Sequence, residues 1–472
     1  MNITTNKIIK PALKCFIIVL LGNALLLAGC KKFLDQKPQQ SLFVPTNLDD
    51  LQQLLNNARY AINTAGVGSL AEMIADNYYV ISSDWQTWLQ AYPAMALNYN
   101  WDQTALPYSE TWTAAYQGPI YYSNIVLDQL PKITIKAGEE SKRDVIKGSS
   151  LFYRAFSYLG LAQIYCKPYS SANAGSPGLI LKNTASVTEK VTRATVQQTY
   201  DRIIIDLKDA AALLPNTVIY PTRPTKTAAY AALARTYLFM RDYANAAQYA
   251  NLALQQKNDL LDYNSLFPIG NPPINTISNP ELVFLDWAYD VIFSLEGYHN
   301  IDSTLYQSYN GNDLRKTVFY AFGVAPDSTA YSFMGSYNGS YFRSSIFTGL
   351  ATDELYLTRA ECSARAGNKD SAMADLNKLM QKRWTNTVPY IPFIATDPND
   401  ALTKVLIERR KELVFRGLRW PDIRRLNLEG ANITLTKVIN GTTYTLLPNN
   451  LRSVLLLPLQ EITIAGVEQN PR

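Results

Sequence analysis

The sequence predicts a mostly α-helical protein, in which tetratricopeptide-like helical hairpins form a scaffold for an irregular, loop-rich substrate-binding lobe. Two observations carry this fold class. A helical spacing of aromatic and small residues at Tyr230, Ala234 and Ala246 returns at Tyr356, Ala360 and Ala372. Two stretches, 78–108 and 262–350, lack regular periodicity and are dense in aromatic and turn-forming residues, which points to functional loops.

Residues 1–29 read as a signal peptide. Lys7, Lys10 and Lys14 precede an apolar run from Cys15 to Ala28, interrupted at Gly22 and Asn23. This is a basic region followed by a short hydrophobic one, too short for a span of about 20 apolar residues. The run ends Leu27-Ala28-Gly29-Cys30, which resembles the bacterial lipobox. Cleavage before Cys30 makes that cysteine the lipid attachment site, and two or more acyl chains make a stable anchor. The polar segment Lys31–Pro38 would serve as a leash. Residues 30–472 then form a single body.

Helices are expected near 48–62 and 110–130, then at 146–165 and 196–214. The last two are separated by a loop holding Lys167-Pro168-Tyr169 and Ser176-Pro177-Gly178, so they read as one hairpin with a long insertion. In 226–256, Tyr230, Leu233, Ala234 and Tyr237 share one helical face, and Ala246, Ala250 and Ala253 lie on a second helix after Arg241-Asp242. Small residues at 234 and 246 allow close approach, and the spacing resembles a tetratricopeptide repeat without its final proline. The second such hairpin covers 353–383, turning at Gly367-Asn368. Hairpins of this kind must stack to bury their apolar faces.

Composition narrows the function. Loss of residues 1–30 removes three lysines and no acid from a chain of net charge +5, leaving about +2, too even for nucleic acid as the main partner. Of four cysteines, Cys166 and Cys362 remain beside Cys30, and both sit in apolar helical runs that suit buried free thiols. The single histidine, His299, lies in a loop. That excludes histidine-cluster metal sites and leaves one candidate for any triad. No metal or cofactor is expected. The 31 tyrosines offer apolar faces with hydroxyl tips, which suit sugar rings but equally suit a helical core.

Several segments together resemble the SusD/RagB family of outer-membrane nutrient-binding lipoproteins, over nearly the whole chain. They include Phe33–Pro38, then Trp112, Tyr116, Ile120 and Asn124, and Arg154-Ala155 with Tyr158, Leu161 and Tyr165. Arg193, Tyr200, Ile204, Asp206-Leu207, Ala210 and Leu214-Pro215 follow, with Asn279-Pro280-Glu281 and Asp313-Leu314-Arg315. The most specific part lies in the C-terminal segment 403–472: Ile407–Leu413, Gly417–Arg425 and the closing Glu468–Pro471. Two departures stand out. Arg416 replaces a commoner acid, which would rearrange an ion pair, and no acidic cluster follows Cys30. The resemblance implies a lipid-anchored, outward-facing outer-membrane protein. It would bind an oligosaccharide, or in some members a peptide, and act as the lid of a TonB-dependent transporter barrel.

Glu408 and Glu412 share one helix face and lie near the carboxyl separation of a glycosidase. Basic neighbours, Arg409 to Lys411 among them, would keep both ionised, so a structural ion-pair network is the expectation, with no catalytic residue. Asp353-Glu354 at a helix start fits the helix dipole. Ligand-binding candidates are Trp85 and Trp88, then Tyr309, Tyr337 and Tyr341. The tryptophans either form an exposed platform or pack as a satellite core.

Overall fold

The computed structural model describes residues 45–472, except 59–61, 64–65, 187, 271–272, 277, 290–299, 324–328 and 339–344. The signal segment, Cys30, His299 and Tyr341 lie outside the described residues. The chain divides into two compact units, Met1–Thr46 and Asn47–Arg472, and every element below belongs to the second.

Helix α1 (Leu48–Leu55) starts on Asn47, whose side chain accepts from the Asp50 N–H, and buries Leu48, Leu51 and Leu55. Helix α2 (Gly68–Met73) and strand β1 (Tyr78–Tyr79) follow. The stretch expected to be irregular from 78 then contains two helices, α3 (Ser82–Ala91) and α4 (Pro93–Tyr99). Trp85 and Trp88 are the two buried residues of α3. Such a short apolar stripe gives too weak a periodicity to announce a helix. Next come α5 (Glu110–Ala115) and α6 (Tyr121–Gln129), joined by a wide π-type turn over Tyr116–Ile120. Pro119 sits in that turn and cannot donate to a regular helical ladder.

Helix α7 (Glu140–Tyr165) begins before the expected 146 because its first turn is polar. It packs on α8 (Val196–Leu213), which a Thr195–Gln198 capping box opens. The insertion between them forms a small hairpin, β2 (Pro177–Ile180) with β3 (Arg193–Thr195). Helix α9 (Lys226–Met240) ends where Arg241 adopts φ +63°, and α10 (Tyr243–Gln256) restarts on the Asp242 cap. Ala234 and Ala246 are both buried.

Residues 257–351 hold short antiparallel pairs around two short helices. β4 (Leu282–Phe284) pairs with β10 (Leu350–Ala351), and β5 (Trp287–Tyr289) with β9 (Ser345–Phe347). β6 (Asn300–Ile301) pairs with β1, which ties the two aromatic-rich stretches together. Helices α11 (Ser303–Gln307) and α12 (Arg315–Val318) precede the hairpin of β7 (Tyr320–Phe322) and β8 (Tyr331–Phe333).

The second repeat is α13 (Thr352–Arg365) and α14 (Lys369–Met380), turning at Gly367 with φ +84°, a conformation that favours glycine. Helix α10 packs directly on α13, so the two repeats are neighbours in space and 257–351 loops out between them. α15 (Pro398–Glu412) lies against α13 and α14, and α16 (Arg419–Asn427) contacts α2 and α9. The hairpin β11 (Leu435–Ile439) and β12 (Thr442–Leu446) turns at Asn440-Gly441, both with positive φ, as a two-residue loop requires. A last turn, α17, covers Leu459–Thr463. Cys166 and Cys362 are buried free thiols. Among the described residues no helix is long and apolar enough to cross a membrane.

Candidate functional site

Of the residues singled out from sequence, Trp85, Trp88, Tyr309 and Tyr337 are buried in the core. Trp85 is 7% exposed and donates from Nε1 to the Ala96 carbonyl at 3.1 Å. Trp88 is 1% exposed and meets Tyr99 edge-on at 5.9 Å. Of the two readings open for these tryptophans, burial supports packing over an exposed platform. Tyr309 is buried and donates to the Lys411 carbonyl at 2.7 Å, with its hydroxyl 2.9 Å from that of Tyr320. Tyr337, also buried, donates to Glu281 and lies 3.3 Å from Asp353 Oδ2. Both tyrosines use their hydroxyls inside the protein, so neither presents a free ring face.

An exposed aromatic surface does lie one layer above Tyr309. The β7–β8 hairpin runs outward from the core. At its inner end Tyr320 pairs with Phe333, and Phe333 stacks on buried Phe415 at 4.6 Å. At its outer end Phe322 pairs with Tyr331. Phe322 is 60% exposed, and its ring lies 5.1 Å from that of Tyr331. Tyr331 stacks on Tyr306 from α11 at 3.8 Å and 20°. Buried Tyr320 supports Tyr306 edge-on at 5.6 Å, and Lys316 Nζ lies 4.6 Å from the centre of the Tyr306 ring. Tyr306 and Tyr331 are half-buried. Sequence reasoning missed Tyr306, Phe322 and Tyr331. Tyr306 is three residues from the chosen Tyr309, but the depth of each depends on a remote hairpin.

Beneath this surface runs a buried charge network. Arg315, fully buried, pairs with Asp313 at 2.6 Å, with Glu412 at 3.0 Å and with Glu408. Arg383 joins Glu412 at 2.8 Å to Glu281 at 2.7 Å, and Arg416 pairs with Asp353 at 2.6 Å. Burial pushes the Glu412 carboxyl up, but Arg383 and Arg315 outweigh it and hold it below the usual range. Glu408 and Glu412 therefore form ion pairs, as expected, but their main partners are remote. Of the basic residues beside them in sequence, Lys411 is in direct contact, 2.6 Å from Glu408. At the start of α13, Glu354 pairs with Arg235 at 2.6 Å, so Asp353-Glu354 serve specific guanidiniums as well as a helix end.

Three other carboxyls are raised to about 7 by burial: Glu72, Glu281 and Asp286. Perturbed carboxyls can mark catalytic sites, but each of these faces protein partners. Glu72 accepts from Asn77 and from the Gly417 N–H, and Asp286 from Thr348 at 2.6 Å. No cluster of three His, Cys, Asp or Glu suited to a metal ion occurs among the described residues.

Comparison with known proteins gives a consistent picture. Residues 32–238 match a family model described as starch-binding and associating with the outer membrane, and residues 336–449 match the SusD family model. A SusD-like protein P2 of Formosa agariphila is 23% identical over 355 residues, 61% of this chain. The matched stretch spans 66% of that relative's length. A putative sugar binding protein from Bacteroides vulgatus superposes with a TM-score of 0.73 at 23% identity, covering 91% of this chain and 99% of that one. A laminarin binding SusD-like protein superposes at 0.64 and 18% identity, covering 90% and 100%. At these identities the two structures establish a shared fold.

Proposed function

The chain belongs to the SusD family of carbohydrate-binding proteins, and from that premise we propose that it binds an oligosaccharide on the exposed face of Tyr306, Phe322 and Tyr331. The observation that carries the site is the Tyr306–Tyr331 stack, flanked by solvent-exposed Phe322. Clustered apolar rings at a surface mark interaction sites, and tyrosine couples a flat apolar face with a hydroxyl. A sugar presents the matching combination, apolar ring faces edged by hydroxyls. Lys316, whose ammonium lies over the Tyr306 ring, would add a donor.

The wider role in this proposal is nutrient uptake. The Leu27–Cys30 box supports a lipid anchor, and the family supports its placement in the outer membrane, facing outward, with a TonB-dependent transporter barrel as partner and this chain as its lid. No chemical step is assigned to the chain, because Glu408 and Glu412, the paired carboxyls of sequence interest, are buried among arginines. Peptide or another nutrient is the second reading for the cargo.

Affinity electrophoresis through gels containing starch or laminarin tests the site. Wild-type protein should be retarded in at least one gel. Tyr306→Ala and Tyr331→Ala should lose that retardation while melting within a few degrees of wild type. Unaltered retardation in both variants would remove this face from the reading. Incubation with the same glycans, followed by product chromatography, tests for hydrolysis.

A further inference from the structure

Thr113 of α5, Gln117 of the π-type turn, and Tyr121 and Asn124 of α6 follow one another at spacings of three and four and line one cavity of about 350 Å³. Small-molecule sites usually measure about 300–1,000 Å³, and single π-type turns inside helices recur at functional sites. The β2–β3 connection adds Lys182 and Thr184 to the lining, and α17 adds Gln460 and Glu461. The cavity shares no residue with the aromatic face of Tyr306, Phe322 and Tyr331.

Some of the polar lining is already bonded within the protein. Tyr116 donates to the Ile180 carbonyl at 2.5 Å, and Asn124 joins Arg154 to the carbonyls of Lys182 and Thr184. The Lys182 ammonium lies 3.5 Å from Glu189 and donates to the Ser186 carbonyl at 3.2 Å. The rest is open. Gln117, Tyr121 and Gln460 are exposed, and their side-chain polar groups bond to none of the described residues. Thr113 Oγ1 likewise has no bond and reaches solvent. Glu461 is the informative member. Trp112, 2% exposed and stacked on Tyr116 at 4.5 Å, donates from Nε1 to Glu461 Oε1 at 3.0 Å. The carboxylate is thereby fixed to a packed aromatic pair. Its Oε2 takes no bond and reaches solvent, and no cation pairs with it among the described residues. One positioned, unused carboxylate oxygen thus shares a cavity with free hydroxyls and amides, which both donate and accept. An anion would be repelled there. A simple cation would suit Glu461 and leave the amide donors without a role. A sugar ring carries neighbouring hydroxyls that donate and accept in turn, and it uses both.

We propose that this cavity is a second saccharide site, for a neutral pyranose unit. Glu461 Oε2 accepts from a ring hydroxyl, a charge-assisted bond of the stronger kind. Gln117 and Gln460 exchange bonds with neighbouring hydroxyls, and exposed Tyr121 offers an apolar face with a hydroxyl tip. The site is independent of the aromatic face and rests with it on the reading that the cargo is a glycan.

The test titrates purified full-length protein in a calorimeter with maltotriose and laminaritriose, and with lysinamide as a cationic probe. The background is the Tyr306→Ala, Tyr331→Ala double variant, in which the aromatic face is disabled. At least one trisaccharide should still bind saturably. Glu461→Gln keeps an acceptor for Trp112 and puts an amide donor where the free oxygen stood. It should weaken that binding by roughly tenfold, the effect of one charge-assisted bond, with melting within a few degrees of the background. Gln117→Ala, at an exposed position, should weaken the same binding severalfold. Absence of saturable trisaccharide binding in the background would overturn the proposal, and so would binding that neither Glu461→Gln nor Gln117→Ala alters. Lysinamide binding in place of both trisaccharides would mark a cation site and overturn it as well. The two sites fail separately. If the aromatic face is wrong, the double variant binds as wild type does while Glu461→Gln loses affinity; if the cavity is wrong, the double variant loses all binding.

Discussion

Replacing Trp88 with alanine should unfold the protein more easily and leave glycan retention intact. Trp88 is 1% exposed and packs edge-on against Tyr99. The truncation withdraws roughly 150 Å² of buried apolar surface, worth about 4 kcal/mol at about 25 cal/mol per Å². That falls within the ~3–5 kcal/mol typical of buried tryptophan. Loss of the edge-to-face contact adds about 1 kcal/mol. The damage should spread through Tyr99, whose hydroxyl accepts from the Val80 N–H and whose ring lies 3.4 Å from the Lys437 ammonium. Denaturant melts of wild type and variant would measure the loss, and affinity electrophoresis well below the melting temperature would measure binding. Unchanged stability with abolished retention would refute the assignment of Trp88 to the core and return it to the ligand surface.

Other perturbations report on separate parts of the molecule. Cys30→Ser should abolish lipid labelling and leave either uncleaved precursor or a soluble form; membrane fractionation showing a mature, lipid-labelled product would contradict the anchor. Ala234→Leu or Ala246→Leu should cost about 1–3 kcal/mol by overpacking, since both are buried; unchanged melting in both would mean that neither sits at a close helix crossing. Arg315→Met should cost about 3–5 kcal/mol, because Asp313, Glu408 and Glu412 lose their shared cation and a buried ion network is broken from one side. Raised carboxyls at Glu72, Glu281 and Asp286 mean that the folded state binds extra protons between about pH 4.5 and 7. Their contribution is fully present below the unfolded values and is lost as pH rises through 7, by up to about 1.4 kcal/mol per pH unit for each group. Asp76, lowered to about 2 because its partners Arg419 and Arg410 outweigh burial, opposes this only below about pH 4. Denaturant titrations should therefore show Asp286→Asn flattening the decline between pH 5 and 7.5; an unchanged slope would exclude Asp286 as a contributor.

The repeats were legible because their signal is local. Tyr230, Ala234 and Tyr237 announce α9 over two helical turns, Tyr356 and Ala360 mark α13, and Ala372 marks α14. The helices α3 and α4 were not, since in Ser82–Ala91 only Trp85 and Trp88 are buried. The aromatic face was out of reach for a different reason. Tyr306 and Tyr309 stand three apart, yet one is half-exposed and the other 2% exposed. Their depths are set by Tyr320 and Tyr331, which the β7–β8 pairing brings alongside. The acids at Glu408 and Glu412 were visible, while Arg315 and Arg383, their main partners, arrive from other segments.

Those remote pairs explain how an irregular segment acquires one structure. Because α10 packs on α13, the segment 257–351 leaves and rejoins the helical stack at neighbouring points, and contacts with residues outside it help to order it. Its strands are two to three residues long, too short to fix register by ladder hydrogen bonds alone. Apolar packing is non-directional and would tolerate slippage in so short a pair. Guanidinium–carboxylate contacts are directional and often bidentate. Arg315 comes from the segment itself, Arg383 from just beyond α14 and Arg416 from just beyond α15. Through Arg315–Glu412 and Arg383–Glu281 the segment is fastened to the helical side at defined points, while Arg416–Asp353 ties the start of α13 to the residues after α15. Buried ion pairs often add little net energy once desolvation is counted, which favours a role in specificity over one in stability. Tyr309 extends the same framework upward: it bonds the backbone of Lys411 on α15 and, through Tyr320, sets the height of Tyr306. The proposed binding face is thereby the outermost aromatic layer, Tyr306, Phe322 and Tyr331, resting on the charged layer beneath.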